Sequence, residues 1–188
     1  MGNFYVNYTV RGAKPQAVAA LLAGRSAIIT PEQNGCIVVF DEASDAQDTK
    51  VITQLGIRLS TELGCPVLAV LNHDDDVLWF QVFEGGEVLD EYDSSPGYAD
   101  PSAETSGPSG GDAIRLCATF DAGNAPQIER ILRMPRNHEH GYGFAVDRHA
   151  DLVAALGLPA LAVGMGYRYL SDGELPDGLA EDDLVRVT

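Results

Sequence analysis

The chain has 188 residues, of which 45% are hydrophobic and 21% are charged, and this composition is typical of a folded globular protein. Its formal net charge is −16 at pH 7. Such a charge repels nucleic-acid phosphates and anionic membrane surfaces, so neither is an expected partner, whereas a basic protein or a cation is attracted.

Local sequence signals predict a cytoplasmic protein without a cofactor. The cysteines, Cys36, Cys65 and Cys117, are odd in number, far apart and flanked by apolar residues, which favours reduced thiols in a core. The first ten residues lack the basic and apolar regions of a signal peptide, and no apolar run is long enough to span a membrane. No complete dinucleotide or phosphate-loop motif occurs.

The N-terminal part predicts strand, helix, two strands and a second helix. Residues 3–11 alternate between two faces, which indicates a half-buried strand. The pair Asn34-Gly35 is a strong hairpin signal between two short β runs. Ser44 and Gln47 have the spacing of a capping box, which predicts the start of the second helix there.

Residues 67–93 predict a three-stranded meander, because two turn-like clusters, 73–76 and 84–87, separate three β-rich runs. Between Asp74 and Asp100 there are nine carboxylates and no Lys or Arg. The run 77–83 is apolar on both faces, so we expect both faces of that strand to be covered, by the C-terminal segment or by a second copy of the chain.

The predicted fold class is α+β. The order of the first six elements matches the ferredoxin-like βαββαβ arrangement, here extended by the meander. We divide the chain into a ferredoxin-like domain over residues 1–93, a linker or long loop rich in Ser, Pro and Gly over residues 94–111, and a mainly helical segment over residues 112–188.

The helical segment is expected to pack on the sheet. Asp112, Pro126 and Asp147 are predicted to open its helices, and the tail is expected to end in loops. If these helices cover the sheet of their own chain, the protein is expected to be a monomer. A homodimer, in which a second copy covers the sheet, is the alternative. The residues predicted to face the sheet are Leu152, Val153 and Leu156.

A histidine cluster is the candidate metal site. His138, His140 and His149 are ligand types that zinc prefers, and they would support a metal-dependent hydrolase-like enzyme. Their spacing fits no zinc motif, and the first two fall in a predicted loop. His73 beside the acidic turn 74–76 suggests a hard cation, but consecutive carboxylates converge poorly, so a solvated turn is favoured.

Arginines on the predicted helices are the candidate anion site. Arg130 and Arg133 would share one helix face, and Arg148 follows on the next helix. Together they would suit a sensor of a small anion. Pairing with carboxylates of the same chain, such as Glu129 or Asp147, is the favoured alternative.

No catalytic signature stands out, and we assign no catalytic residue. The favoured hypothesis is therefore a non-catalytic binding or regulatory protein, immunity-like or adaptor-like, that binds a basic protein partner through its acidic surface. The hydrolase and the anion sensor are the alternatives.

Overall fold

The structure, a computed structural model, describes residues 2–98, 107–121, 123–137 and 139–188. It confirms a mixed α+β protein in which eight strands form one antiparallel sheet, in the order β7-β6-β5-β4-β1-β3-β2-β8. The strands are β1 Phe4–Arg11, β2 Ala27–Ile29, β3 Cys36–Asp41, β4 Val67–His73, β5 Val77–Glu84, β6 Glu87–Asp93, β7 Ser109–Gly110 and β8 Val185–Val187. The helices are α1 Pro15–Leu21, α2 Thr49–Leu63, α3 Ala113–Phe120, α4 Ala125–Arg133, α5 Ala145–Leu156 and α6 Tyr167–Ser171.

Short turns set the register of the sheet. The hairpin between β2 and β3 turns at Asn34 and Gly35, which both have positive φ (54° and 73°). The meander is also confirmed, since β4, β5 and β6 are consecutive neighbours. Its first turn places Asp74 and Asp75 in the left-handed region, where Asp is tolerated better than most residues.

Two predicted helix starts are wrong by a few residues. Ser44 caps nothing in α2, because it lies in a 3-10 turn, Glu42–Ala46, that the Asp41 carboxylate caps. Helix α2 begins at Thr49 instead, where the Asp48 side chain accepts from the Lys50 amide. Helix α5 begins at Ala145 rather than at Asp147, since a main-chain hydrogen bond from its first residue to the β4-β5 turn fixes its start.

Helices cover both faces of the sheet, as the doubly apolar strand predicts. Trp79 and Phe83 of β5 pack in the core beneath α1 and α2. The alternate β5 residues pack in a second core beneath α3, α4 and α5, which confirms that Leu152, Val153 and Leu156 face the sheet. A third, smaller core lies between α6 and strands β2 and β3.

The sheet runs through all three predicted parts of the chain. Within the predicted linker, β7 pairs with β6, while residues 99–106 lie outside the described part. The tail does not end in loops, because β8 pairs with β2 at the opposite edge. Among the described residues, no helix is both long enough and apolar enough to cross a membrane.

Candidate functional site

A cleft of about 620 Å³ opens where β4 and β5 meet the start of α2 and the chain that follows β6. Its floor is apolar and its rim carries polar and aromatic side chains. The floor consists of Leu71, Val77 and Trp79, and the rim of Ala46, Gln47, Thr49, His73, Asp93, Ser95, Gly97 and Tyr98.

Strand register brings the floor and one wall together. Leu71 lies opposite Trp79 in the β4-β5 pair, and Trp79 lies opposite Asp93 in the β5-β6 pair. Residues directly opposite each other in antiparallel strands share a face of the sheet. An apolar side chain, an indole and a carboxylate therefore lie side by side across three strands.

Gln47 holds the His73 ring in one tautomer. The Gln47 Nε2 donates to the main-chain oxygen of Asn72 at 2.7 Å, which leaves its Oε1 facing the His73 Nδ1 at 2.6 Å. An amide oxygen can only accept, so the proton of the neutral imidazole sits on Nδ1 and Nε2 is an acceptor. Among the described residues, Nε2 has no hydrogen-bond partner.

Gln47 keeps this position at a conformational cost. Its φ is +60°, in the left-handed region that side chains other than Gly, Asn and Asp seldom adopt. Such a conformation costs roughly 1–3 kcal/mol, and it persists where the surrounding contacts fix it. The two hydrogen bonds of the Gln47 amide supply such contacts beside the cleft.

Aromatic contacts and an ion pair build the wall around His73. The ring makes edge contacts with Phe4 and Tyr98, at centroid distances of 5.0 and 5.9 Å. The Tyr98 hydroxyl donates to Asp76 at 2.8 Å, and this hydrogen bond raises the pKa of Tyr98. Asp76 also pairs with Arg136, so the charge of this carboxylate is already balanced.

The charge of Asp93 is not balanced in the same way. Its Oδ1 accepts from the Ser95 main-chain amide at 2.8 Å, but no Lys or Arg in the described part of the chain pairs with it. Burial raises the pKa of Asp93, because a carboxylate that has lost water is less stable in its charged form. A cation placed beside it would relieve that cost.

A second cleft, of about 370 Å³, adjoins the first at Trp79, which lines both. It lies between α2 and β6. The buried Gln81 spans its floor, with its Oε1 2.7 Å from the Thr53 hydroxyl and its Nε2 donating to Glu91. Lys50 also lines this second cleft.

The three arginines predicted to bind an anion face different surroundings. Arg130 and Arg133 are exposed on α4, and Arg133 pairs with Glu129 and donates to the Gly111 oxygen. Arg148 is buried, with its guanidinium 4.6 Å from the Tyr142 ring centroid. Its donors reach main-chain oxygens near the end of α4, those of Ile131, Leu132 and Met134. The anion site stays a prediction.

The predicted metal site is only partly within the described residues. His138 lies outside them, and His140 is exposed. His149 is buried, its Nδ1 lies 2.8 Å from the Tyr5 hydroxyl, and desolvation lowers its pKa to about 3. In the described part of the chain, no three His, Cys, Asp or Glu side chains are grouped to hold a metal ion. The zinc triad stays a prediction.

The acidic turn after His73 is solvated in part, as the sequence predicts, since Asp74 is exposed and Asp76 half-buried, while Asp75 is buried. Asp74 accepts from the Gly2 amide and Asp75 is buried against Asn3 and Asn72. The three carboxylates of the turn have separate partners, since Asp76 pairs with Arg136. Asp74 and Asp75 thus hold the residues that precede β1 against the turn that follows β4.

Sequence reasoning missed Gln47 and Asp93 as site residues, because strand pairing and a long-range hydrogen bond bring them to the cleft. Trp79 lies in the doubly apolar run 77–83, and Tyr98 lies in the predicted linker, but neither was predicted as a site residue. Comparison of the chain with protein-family models, with curated proteins and with solved structures finds no match. The chemistry of the cleft is therefore the basis on which function can be inferred.

Proposed function

We propose that this protein is a non-catalytic binding protein, immunity-like or adaptor-like, and that its cleft takes a basic side chain from a protein partner. The observation that supports this most is the pair of acceptors at the cleft, His73 Nε2 and the Asp93 carboxylate. A guanidinium or ammonium group carries both the donors and the charge that these two groups lack.

The aromatic rings favour the same ligand. Trp79 and Tyr98 line the cleft, and a cation over the face of such a ring gains about 0.5–2 kcal/mol. A hydrogen bond between charged groups adds about 1.5–3 kcal/mol. The apolar floor, including Leu71 and Val77, suits the aliphatic stem of an Arg or Lys side chain.

The charge of the whole chain supports a basic partner. A net charge of −16 attracts a basic protein over several ångströms and raises the rate of encounter, while it repels anions. The same field disfavours nucleic acid. The charge attracts a basic partner to the surface, and the cleft then determines which side chain of that partner binds.

We further propose that the first six elements form a ferredoxin-like unit. Strands β4, β1, β3 and β2 are neighbours in that order, each pair is antiparallel, and α1 and α2 pack on one face, which supports this assignment. A cytoplasmic monomer fits the free cysteines and the cover that the chain's own helices give to both faces of β5.

The test uses Trp79, the only tryptophan in the chain, as the reporter. A capped Gly-Arg-Gly peptide is titrated into the protein while tryptophan fluorescence is recorded, and the same peptide with neutral citrulline is the control. We expect saturable binding of the Arg peptide alone. Asp93→Asn should weaken it at least tenfold, because the uncompensated charge is lost while the shape is kept.

Glu87→Gln is the matched control variant, since it removes the same charge from β6 at an exposed position that does not line either cleft. It should leave the affinity within about twofold, as expected for a distant surface charge. Equal losses of affinity for Asp93→Asn and Glu87→Gln would mean that the net negative charge of the chain, and not the cleft, binds the peptide. Equal binding of the Arg and citrulline peptides would contradict the proposal outright.

A further inference from the structure

We propose that the two clefts act as one groove, which holds an extended segment of the basic partner with two basic residues separated by one residue. This inference rests on the proposed function and adds the form of the partner. Trp79 is its central element, because the indole lines both clefts.

Strand β5 sets the spacing along the groove. Val77 lies in the first cleft, Gln81 in the second, and Trp79 between them in both. These alternate residues share one face of the strand, so each is about 6.6–6.8 Å from the next at 3.3–3.4 Å per residue. The two clefts are thus offset by about one period of an extended chain.

Strand β6 repeats a carboxylate at the same spacing. Asp93 lies opposite Trp79, and Glu91 lies opposite Gln81, so both face the groove. In an extended segment, side chains two residues apart are also about 6.6–6.8 Å apart and point the same way. A segment with Arg or Lys at two such positions therefore places one cation at Asp93 and the other at Glu91.

Helix α2 forms the opposite wall. Thr49 and Thr53, four residues apart, lie on one face of the helix, and each lines a cleft. Lys50 lines the second cleft as well. Its charge opposes a second cation at Glu91, so we expect Lys50 to weaken the contact that it neighbours.

A protein segment fits the groove better than a small polycation does. The floor of the first cleft is apolar, and the stem of a side chain and its backbone would cover the small part of Val77 and of the Trp79 ring that stays exposed. A free polyamine supplies the charges and methylene groups, but it has no peptide backbone and no neighbouring side chains to add contacts. The residues on either side of the two cations then contribute to binding.

The experiment compares two capped peptides of identical composition, with the two arginines separated by one glycine in the first and adjacent in the second. Trp79 fluorescence is the readout, and the Gly-Arg-Gly peptide is measured alongside. We expect the separated peptide to bind at least tenfold more tightly than the adjacent one. Spermidine at an equal concentration should not displace it.

Substitutions at Glu91 and Lys50 test the contact that the second arginine of the peptide makes. Glu91→Gln should abolish the advantage of the separated peptide and leave the affinity for the single-arginine peptide unchanged. Lys50→Gln should strengthen the separated peptide by about threefold to tenfold. Glu87→Gln is again the control, and Glu91 is exposed, so its substitution does not threaten the fold.

The outcomes separate the two proposals. Equal affinities for the separated and adjacent peptides, with the single-arginine peptide still bound, would overturn the groove and leave the cation-binding cleft intact. Displacement of the peptide by spermidine would overturn the protein segment as the occupant. Failure of all three peptides to bind would overturn the groove together with the proposed function.

Discussion

The buried His149 should make the stability of the protein depend on pH. The side chain is 1% exposed in the core beneath α5, and its Nδ1 lies 2.8 Å from the Tyr5 hydroxyl. Desolvation lowers its pKa to about 3, because the charged imidazolium has lost its water. In the unfolded chain the same side chain takes up a proton near pH 6.5.

The direction of the effect follows from those two values. Between about pH 6.5 and pH 3 the unfolded chain binds the proton and the folded chain does not, so acid favours unfolding. The contribution of His149 is complete above pH 6.5 and decreases as the pH falls. Proton linkage gives a loss of about 1.4 kcal/mol at pH 5.5 and about 2 kcal/mol at pH 5.

Urea unfolding at pH 7.5, 6.5, 5.5 and 5.0 measures this loss against a His149→Gln variant. Glutamine keeps an acceptor for Tyr5 and does not titrate, so the difference in free energy of unfolding should shrink by about 2 kcal/mol from pH 7.5 to pH 5. Burial also raises the pKa of Asp45 and Asp93, but these groups are present in both proteins and cancel. Parallel pH profiles for the two proteins would show that the pKa of His149 is not lowered in the folded chain.

Three more outcomes are expected. Arg148→Met should lower the free energy of unfolding by about 1–3 kcal/mol in urea titrations, because it leaves buried carbonyl oxygens near the end of α4 unpaired. An unchanged free energy of unfolding would mean that these hydrogen bonds do not stabilise the fold. Trp79→Ala should lower the free energy of unfolding by about 3–5 kcal/mol, because a large buried side chain is removed. The tryptophan fluorescence of the wild-type protein should be blue-shifted, and emission typical of a water-exposed indole would contradict the burial of Trp79. Elemental analysis after dialysis should find no stoichiometric zinc; retained zinc that His140→Ala releases would favour the hydrolase alternative.

The fold class could be predicted because its signals are local. The Asn34-Gly35 hairpin, the meander and the two apolar faces of β5 can all be identified within a few residues of sequence. The start of α5 could not, because it depends on a main-chain hydrogen bond to the distant β4-β5 turn. Strand β8 was missed because three residues gain strand structure only by pairing with β2.

The candidate site was much harder to predict than the fold. Gln47 and His73 are 26 residues apart in sequence. Their hydrogen bond depends on the left-handed backbone conformation of Gln47, which no sequence pattern predicts. Trp79 and Asp93 meet only when the β5-β6 register is known. The sequence did indicate an acidic surface and a basic partner, since charge is independent of folding.

The most direct test of the cation-binding cleft is nitrogen-15 NMR of the His73 ring at pH 8, with and without the Gly-Arg-Gly peptide. The Gln47 amide oxygen requires the neutral ring to carry its proton on Nδ1, so the free protein should show the resonance of an unprotonated Nε2. The Arg peptide should shift that Nε2 resonance as the guanidinium donates to it, and the citrulline peptide should not. A proton on Nε2 in the free protein, or a resonance unmoved by saturating Arg peptide, would contradict binding of a cation at His73.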